Sequence, residues 1–176
     1  TLDSVATATY NALNFSDNGA QYPLTWTVKS KATLKIDKVF STKTEVTKGQ
    51  SGLPLSVYIS NTGEADCILE YVYPNWEVGI YTLTYIGPAT GTTVIPGKGS
   101  IVATFSVSIS ARSESGSDTI GATASATNIL SGELVEITSA EIPHIWIIQN
   151  PASLVLTEVI ASSTVYRGQK NNAVIL

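Results

Sequence analysis

Charge, sulfur and imidazole are all scarce in this sequence, and each scarcity closes off a class of function. Among 176 residues there is one cysteine, one histidine and no methionine, and only 14% are Asp, Glu, Lys or Arg, for a net charge of −4. A single Cys67 excludes an internal disulfide. One His and one Cys cannot supply the three or four ligands of a zinc site. Without a basic patch nothing neutralises phosphates, so no nucleic-acid partner is expected. The longest apolar cluster, Ile145-Trp146-Ile147-Ile148, falls far short of the ~20 residues that span a bilayer, so no membrane span is expected. No glycine-rich phosphate loop and no nucleophile elbow occur. His144, in Pro143-His144-Ile145-Trp146, therefore lacks the nucleophile around which a triad would be built. No catalytic residue, no metal ligand and no cofactor is assigned, and the chain is not expected to be an enzyme.

Period-2 alternation is abundant, and helical periodicity is absent. Leu53, Leu55, Val57 and Ile59 alternate with Pro54, Ser56, Tyr58 and Ser60. Ile101, Ala103, Phe105, Val107 and Ile109 alternate with residues 102–110 of the other phase, mostly hydroxylic. Ile120, Ala122, Ala124 and Ala126 form a third apolar face, with small residues that invite a bulky neighbour, and Cys67, Leu69, Tyr71 and Tyr73 a fourth. Turn chemistry separates these runs at Lys48-Gly49, Asn61-Thr62-Gly63, Ile86-Gly87-Pro88, Pro96-Gly97-Lys98-Gly99, Ser115-Gly116-Ser117 and Ser131-Gly132. Short strands at this spacing predict an all-β sandwich. Cys67 is expected to be a buried, inert thiol.

The sequence also repeats itself. Trp26, Ala32, Leu34, Val39 and Thr44 recur as Trp146, Ala152, Leu154, Val159 and Thr164, each 120 residues later. After a one-residue slip, Val46, Gly49 and Gln50 recur as Val165, Gly168 and Gln169. At the other end Leu2, Ala6, Ala8 and Thr9 align with Ile120, Ala124, Ala126 and Thr127. Self-similarity at one period marks a repeat architecture. Residues 1–25 are expected to be the last strands of a preceding repeat, 26–145 a complete repeat, and 146–176 the first strands of a following one. Beginning at Thr1 without methionine, the chain is read as a mature product or a window of something longer. Fragments this short cannot bury a core alone. They need neighbouring repeats, identical subunits, or each other.

The joints are apolar, unlike flexible linkers. Trp26, Ile145, Trp146 and Ile147 are expected either at contacts between repeats or, for the tryptophans, inside a sandwich core. Tyr71, Tyr73, Trp76, Tyr81 and Tyr85 crowd one stretch. Trp76 and Tyr81 are candidates for stacking on a glycan, against core packing or a subunit contact. Calcium candidates are Asp17-Asn18-Gly19, Glu64 with Asp66, and Glu114 with Asp118, but none has the dense Asp-x-Asp spacing of a calcium loop. Asn14-Phe15-Ser16 fits a glycosylation sequon.

The run Val46-Thr47-Lys48-Gly49-Gln50 followed by Leu55-Ser56-Val57-Tyr58-Ile59-Ser60-Asn61-Thr62-Gly63 resembles the opening of CARDB-type bacterial and archaeal immunoglobulin-like domains. Ile95-Pro96-Gly97-Lys98-Gly99-Ser100 looks like the Pro-Gly-x-x-Ser turn of that family. The resemblance covers most of residues 32–127; the Asp…Asn-Glu ending of many CARDB domains is missing, and the 120-residue period is long for them. It implies an immunoglobulin-like, extracellular repeat of a large cell-surface or adhesion protein, with no catalytic residue to carry over. The 120-residue period and the stiff, apolar joints add the expectation of a stalk, fibre or filament. The function expected is thus a self-associating structural module; the alternative is a glycan- or protein-binding adhesin module.

Overall fold

The computed structural model describes residues 6–10, 13–17, 27–158, 160–161, 164, 167–168 and 173–174. Among them there is no helix, and none therefore that is long and apolar enough to cross a membrane. The strands are β1 (Ala6–Tyr10), β2 (Leu13–Asp17), β3 (Leu34–Phe40), β4 (Glu45–Thr47), β5 (Leu53–Asn61), β6 (Cys67–Trp76), β7 (Tyr81–Gly87), β8 (Val94–Ile95), β9 (Ser100–Ile109), β10 (Gly116–Asn128), β11 (Leu134–Ile137), β12 (Ala140–Ile142), β13 (His144–Gln149), β14 (Ile160–Ala161) and β15 (Ala173–Val174).

Two mixed sheets enclose one core. One runs β12-β3-β5-β9-β7; the other runs β4-β13-β10-β6-β8, with β11 also on β10. Strands β5 and β9 follow the expected alternation: Leu53, Leu55, Val57 and Ile59 face inward, as do Ala103, Phe105, Val107 and Ile109. Each fully buried Leu, Val, Ile or Phe side chain among them contributes about 1.5–3 kcal/mol. On β10 the buried face is Ile120, Ala122, Ala124 and Ala126, and β3 of the opposite sheet approaches it across the core. Small residues on one face let the facing strand come close.

Strand β6 departs from the simple alternation. Its register on β10 shifts between Ser125 and Ala126: Leu69 pairs Ala126 while Tyr71 pairs Ser125, leaving Glu70 as an extra residue. One extra residue reverses which side chains face inward. Cys67 and Leu69 are buried as expected, but beyond the bulge Val72 is buried and Tyr71 and Tyr73 turn outward. The same device at Asp37 in β3 brings both Ile36 and Val39 to the core.

Strand β13 crosses the boundary expected at 145/146. It pairs antiparallel with β10 and parallel with β4, and it delivers Trp146 and Ile148 to the core. Among the described residues, all those buried in the core fall between Ala32 and Ile148, so the two-sheet unit supplies a core from this span.

Outside that span the pairing echoes the sandwich. In the β1–β2 pair Ala6 faces Asp17, Thr7 Ser16, Ala8 Phe15 and Thr9 Asn14. In the β10–β11 pair Ala124 faces Ile137, Ser125 Glu136, Ala126 Val135 and Thr127 Leu134. The alignment that matches Ala6 with Ala124 reproduces these four pairs in order, with a shorter connection in the first copy. Likewise β14 and β15 pair antiparallel at positions aligned, within one residue, with the end of β3 and the start of β5, which also pair antiparallel.

Candidate functional site

Two regions concentrate polar contacts: an aromatic cluster at the end of β6, and the loop on which the chain enters the sandwich. In the first, Asp118 on β10 is almost fully buried. Its carboxylate accepts from the backbone N–H of Glu77 and Val78, both at 3.1 Å, and of Gly79 at 2.8 Å. The Tyr81 hydroxyl donates to it at 2.6 Å. A buried carboxylate must be satisfied in this way. Asp118 thereby fixes the turn that carries the chain from one sheet to the other.

Above it the rings form a continuous file. Centroids are 6.1 Å apart for Tyr73 and Trp76, 4.5 Å for Trp76 and Tyr81, and 5.8 Å for Tyr81 and Trp146. The two proposed stacking residues, Trp76 and Tyr81, are thus brought together. Tyr81 is committed: burial, then its bond to Asp118, pushes its phenol far above the ordinary range, and its ring lies between two tryptophans. Trp76 lines an open cleft of about 260 Å³ with Asn75, Glu77, Thr119, Thr138 and Ser139. Gly121 forms part of the wall, where a Cβ would lie 2.4 Å from Asn75 Oδ1.

Of the residues expected at contacts between repeats, Trp146 is wholly inside the core, its Nε1–H donating to the Lys43 carbonyl at 2.8 Å. Ile145 and Ile147 point to the opposite, exposed face of β13. Trp26 lies outside the described residues. His144 Nε2 also sits 2.8 Å from the Lys43 carbonyl, so imidazole and indole together hold the segment between β3 and β4. Cys67 is buried, with Sγ 3.8 Å from the Ile95 carbonyl, and burial pushes its thiol pKa up.

Three of the acidic candidates hold loops and turns. Asp66 Oδ1 accepts from Gly97 N–H at 2.8 Å, Glu64 binds Ser30, and Asp118 is occupied as described. Among the described residues, no three His, Cys, Asp or Glu side chains gather as metal ligands. Asn18 and Gly19 lie outside the described residues.

The second region is built on Asn61, buried at the end of β5. Its Oδ1 accepts from Thr33 N–H at 3.1 Å and Gly63 N–H at 3.0 Å, and its Nδ2 donates to the Ala65 carbonyl at 2.8 Å. Ser30 is held on all three polar groups. Its N–H donates to Glu64 Oε2 at 2.8 Å, its Oγ accepts from Glu64 N–H at 3.2 Å, and its carbonyl accepts from Ala65 N–H at 3.0 Å. The Ser30 N–H, then the Ser30 hydroxyl, with Lys98 and Lys29 nearby, hold the Glu64 carboxyl below its ordinary range. At Gly63 a Cβ would lie 2.0 Å from the Lys31 carbonyl oxygen, so the entering chain rests on bare backbone. Sequence reading found the Asn61-Thr62-Gly63 turn but not its use as a seat; an Asn two residues before a Gly was the one available signal.

No family model and no curated protein sequence matches this chain.

Proposed function

We propose that the chain is a structural repeat module of an extracellular stalk, fibre or filament, built from immunoglobulin-like sandwiches of the CARDB type that associate in tandem. The observation that carries this reading is the shared register of β1–β2 and β10–β11, which places sequence similarity and strand pairing in the same frame.

Exposure agrees with it. Leu34 and Ile36 are buried in β3, whereas their counterparts Leu154 and Leu156 stand in solvent at 101% and 64%. An exposed run of large apolar side chains marks a surface that a partner covers. The strand order supports the immunoglobulin-like assignment: β3-β5-β9-β7 corresponds to A-B-E-D, and β6-β10-β13 to C-F-G, in chain order. On this mapping residues 1–25 correspond to the β10–β11 end of a sandwich and residues 151–176 to its β3–β5 start. Neither segment contains a counterpart of β6 to β9, so the two do not complete each other. On this reading a neighbouring repeat or an identical subunit completes each.

Negative-stain electron microscopy of the native material tests the reading. Continuous fibres are expected, with an axial repeat of about 30–40 Å, the length of a nine-residue strand plus its turns. Dispersed single particles would contradict it.

A second reading, a glycan-binding adhesin module, is favoured by the Trp76 cleft, where one indole meets amide, carboxylate and hydroxyl groups. Glycan-array binding that vanishes in Trp76→Ala, with unchanged assembly, would establish it.

A further inference from the structure

The structure also addresses how one repeat is tied to the next, a question that presupposes the tandem reading above. The chain enters and leaves the sandwich at opposite ends. It enters beside Asn61, where Leu34 pairs with the last residue of β5, and it leaves beside Thr47, its partner in register at Gln149. The turn after Thr47 lies at the start of β5: Gly49 N–H donates to the Ile109 carbonyl at 3.0 Å, and Ile109 N–H to the Gln50 carbonyl at 2.8 Å. Successive sandwiches therefore line up lengthwise.

The exit is held to its last residue, for the Gln149 carbonyl accepts from Lys48 N–H at 3.0 Å. In the repeat alignment Gln149-Asn150 corresponds to Lys29-Ser30. Ser30 is the residue bound through N–H, carbonyl and hydroxyl to Glu64 and Ala65. Three residues on, Thr33 is bound to Asn61 and Thr62. Residue 149 thus belongs to one sandwich, and the position of residue 150 belongs to the next.

We propose that consecutive repeats are joined with no free linker residue: the 149–150 peptide passes directly from β13 of one sandwich to the loop at 61–65 of the following one. The partner of that loop is the exit strand of the preceding repeat. Asn150 keeps a side-chain oxygen able to accept the bond that Ser30 Oγ takes from Glu64 N–H, and Pro151 fixes φ at the following position. A joint bound on both sides of one peptide bond has none of the slack of a Gly/Ser linker. The array is a rod and not a beaded string.

The test uses a two-sandwich chain, residues 1–149 continued directly by residues 30–149, since that span carries its own core. Spin labels on Ser51→Cys, an exposed site, in both sandwiches report the distance between them. A second chain carries five Gly/Ser residues at the joint, outside both folds, and circular dichroism confirms that each chain is folded. The expected result is a single narrow distance distribution for the direct joint, broadened roughly twofold or more by the insert. Equally broad distributions in the two chains would overturn the proposal. The tandem reading itself fails on a different observation, the absence of fibres from native material, so the two failures are distinguishable.

Discussion

Replacing Asp118 by alanine removes the group on which the β6–β7 turn hangs. Four donors lose their acceptor: the N–H groups of Glu77, Val78 and Gly79, and the Tyr81 hydroxyl. A hydrogen bond to a charged group is worth about 1.5–3 kcal/mol, and an orphaned buried donor costs about 1–3 kcal/mol. The sum of four such terms overstates the loss, because Glu77 and Val78 are exposed and their N–H groups regain water. The donors least able to do so are those of Gly79 and Tyr81, both partly buried. The expected cost of Asp118→Ala is therefore about 2–6 kcal/mol, two orphaned donors at about 1–3 kcal/mol each. Tyr81→Phe, which deletes one donor and leaves the carboxylate with three, should cost about 1.5–3 kcal/mol. Urea denaturation of the full chain, followed by tryptophan fluorescence, gives both values from shifts in midpoint at constant slope. An Asp118→Ala loss below about 1 kcal/mol, or one no larger than that of Tyr81→Phe, would refute the account of this turn.

Three further outcomes follow from the packing. Gly63→Ala should lower stability by about 1–3 kcal/mol, the usual cost of forcing atoms into filled space, because its Cβ meets the Lys31 backbone at 2.0 Å; thermal melting against the parent reads it. Glu64, whose carboxyl is held below its ordinary value of 4.5 first by the Ser30 N–H and then by its hydroxyl, with Lys98 and Lys29 adding attraction, stabilises the entry seat fully above that value. The contribution is lost as the pH falls through the lowered one, so the Ser30 amide resonance should titrate in that acid range and cease to do so in Glu64→Gln. Cys67, buried and with a raised thiol pKa, should resist iodoacetamide at pH 8 in the native protein and react rapidly in urea; rapid native labelling would show that β6 opens.

The strands were legible where one buried face ran unbroken. Leu53 to Ile59 and Ala103 to Ile109 advertise their burial by period alone, and the turns at Gly49, Gly63 and Gly97 stand where Gly and Asn announce them. Tyr71 and Tyr73 were misplaced because a bulge at Glu70 leaves no compositional trace, and one inserted residue exchanges the two faces for the rest of the strand. The boundary at residue 145 fell inside β13 for a related reason: alignment marks where similarity begins, not where a fold closes. Trp146 heads the aligned block yet completes the preceding core. Neither the turn-anchoring role of Asp118 nor the seat of Ser30 could be found from sequence, because their partners are 37 or more and 34 residues away respectively. Their roles arise only when the sheets bring those segments together.

The central claim, that residues 150–176 begin another sandwich of the same design, is tested most directly by giving that segment the strands it lacks. In the repeat alignment Leu176 corresponds to Val57, so the chain 1–176 is continued with residues 58–149 and its hydrogen exchange is followed by mass spectrometry. The account predicts that peptides covering 154–160 become as protected as those covering 34–40, with one added cooperative unfolding unit of similar size. Immediate exchange of 154–160 beside a protected 34–40 would contradict it.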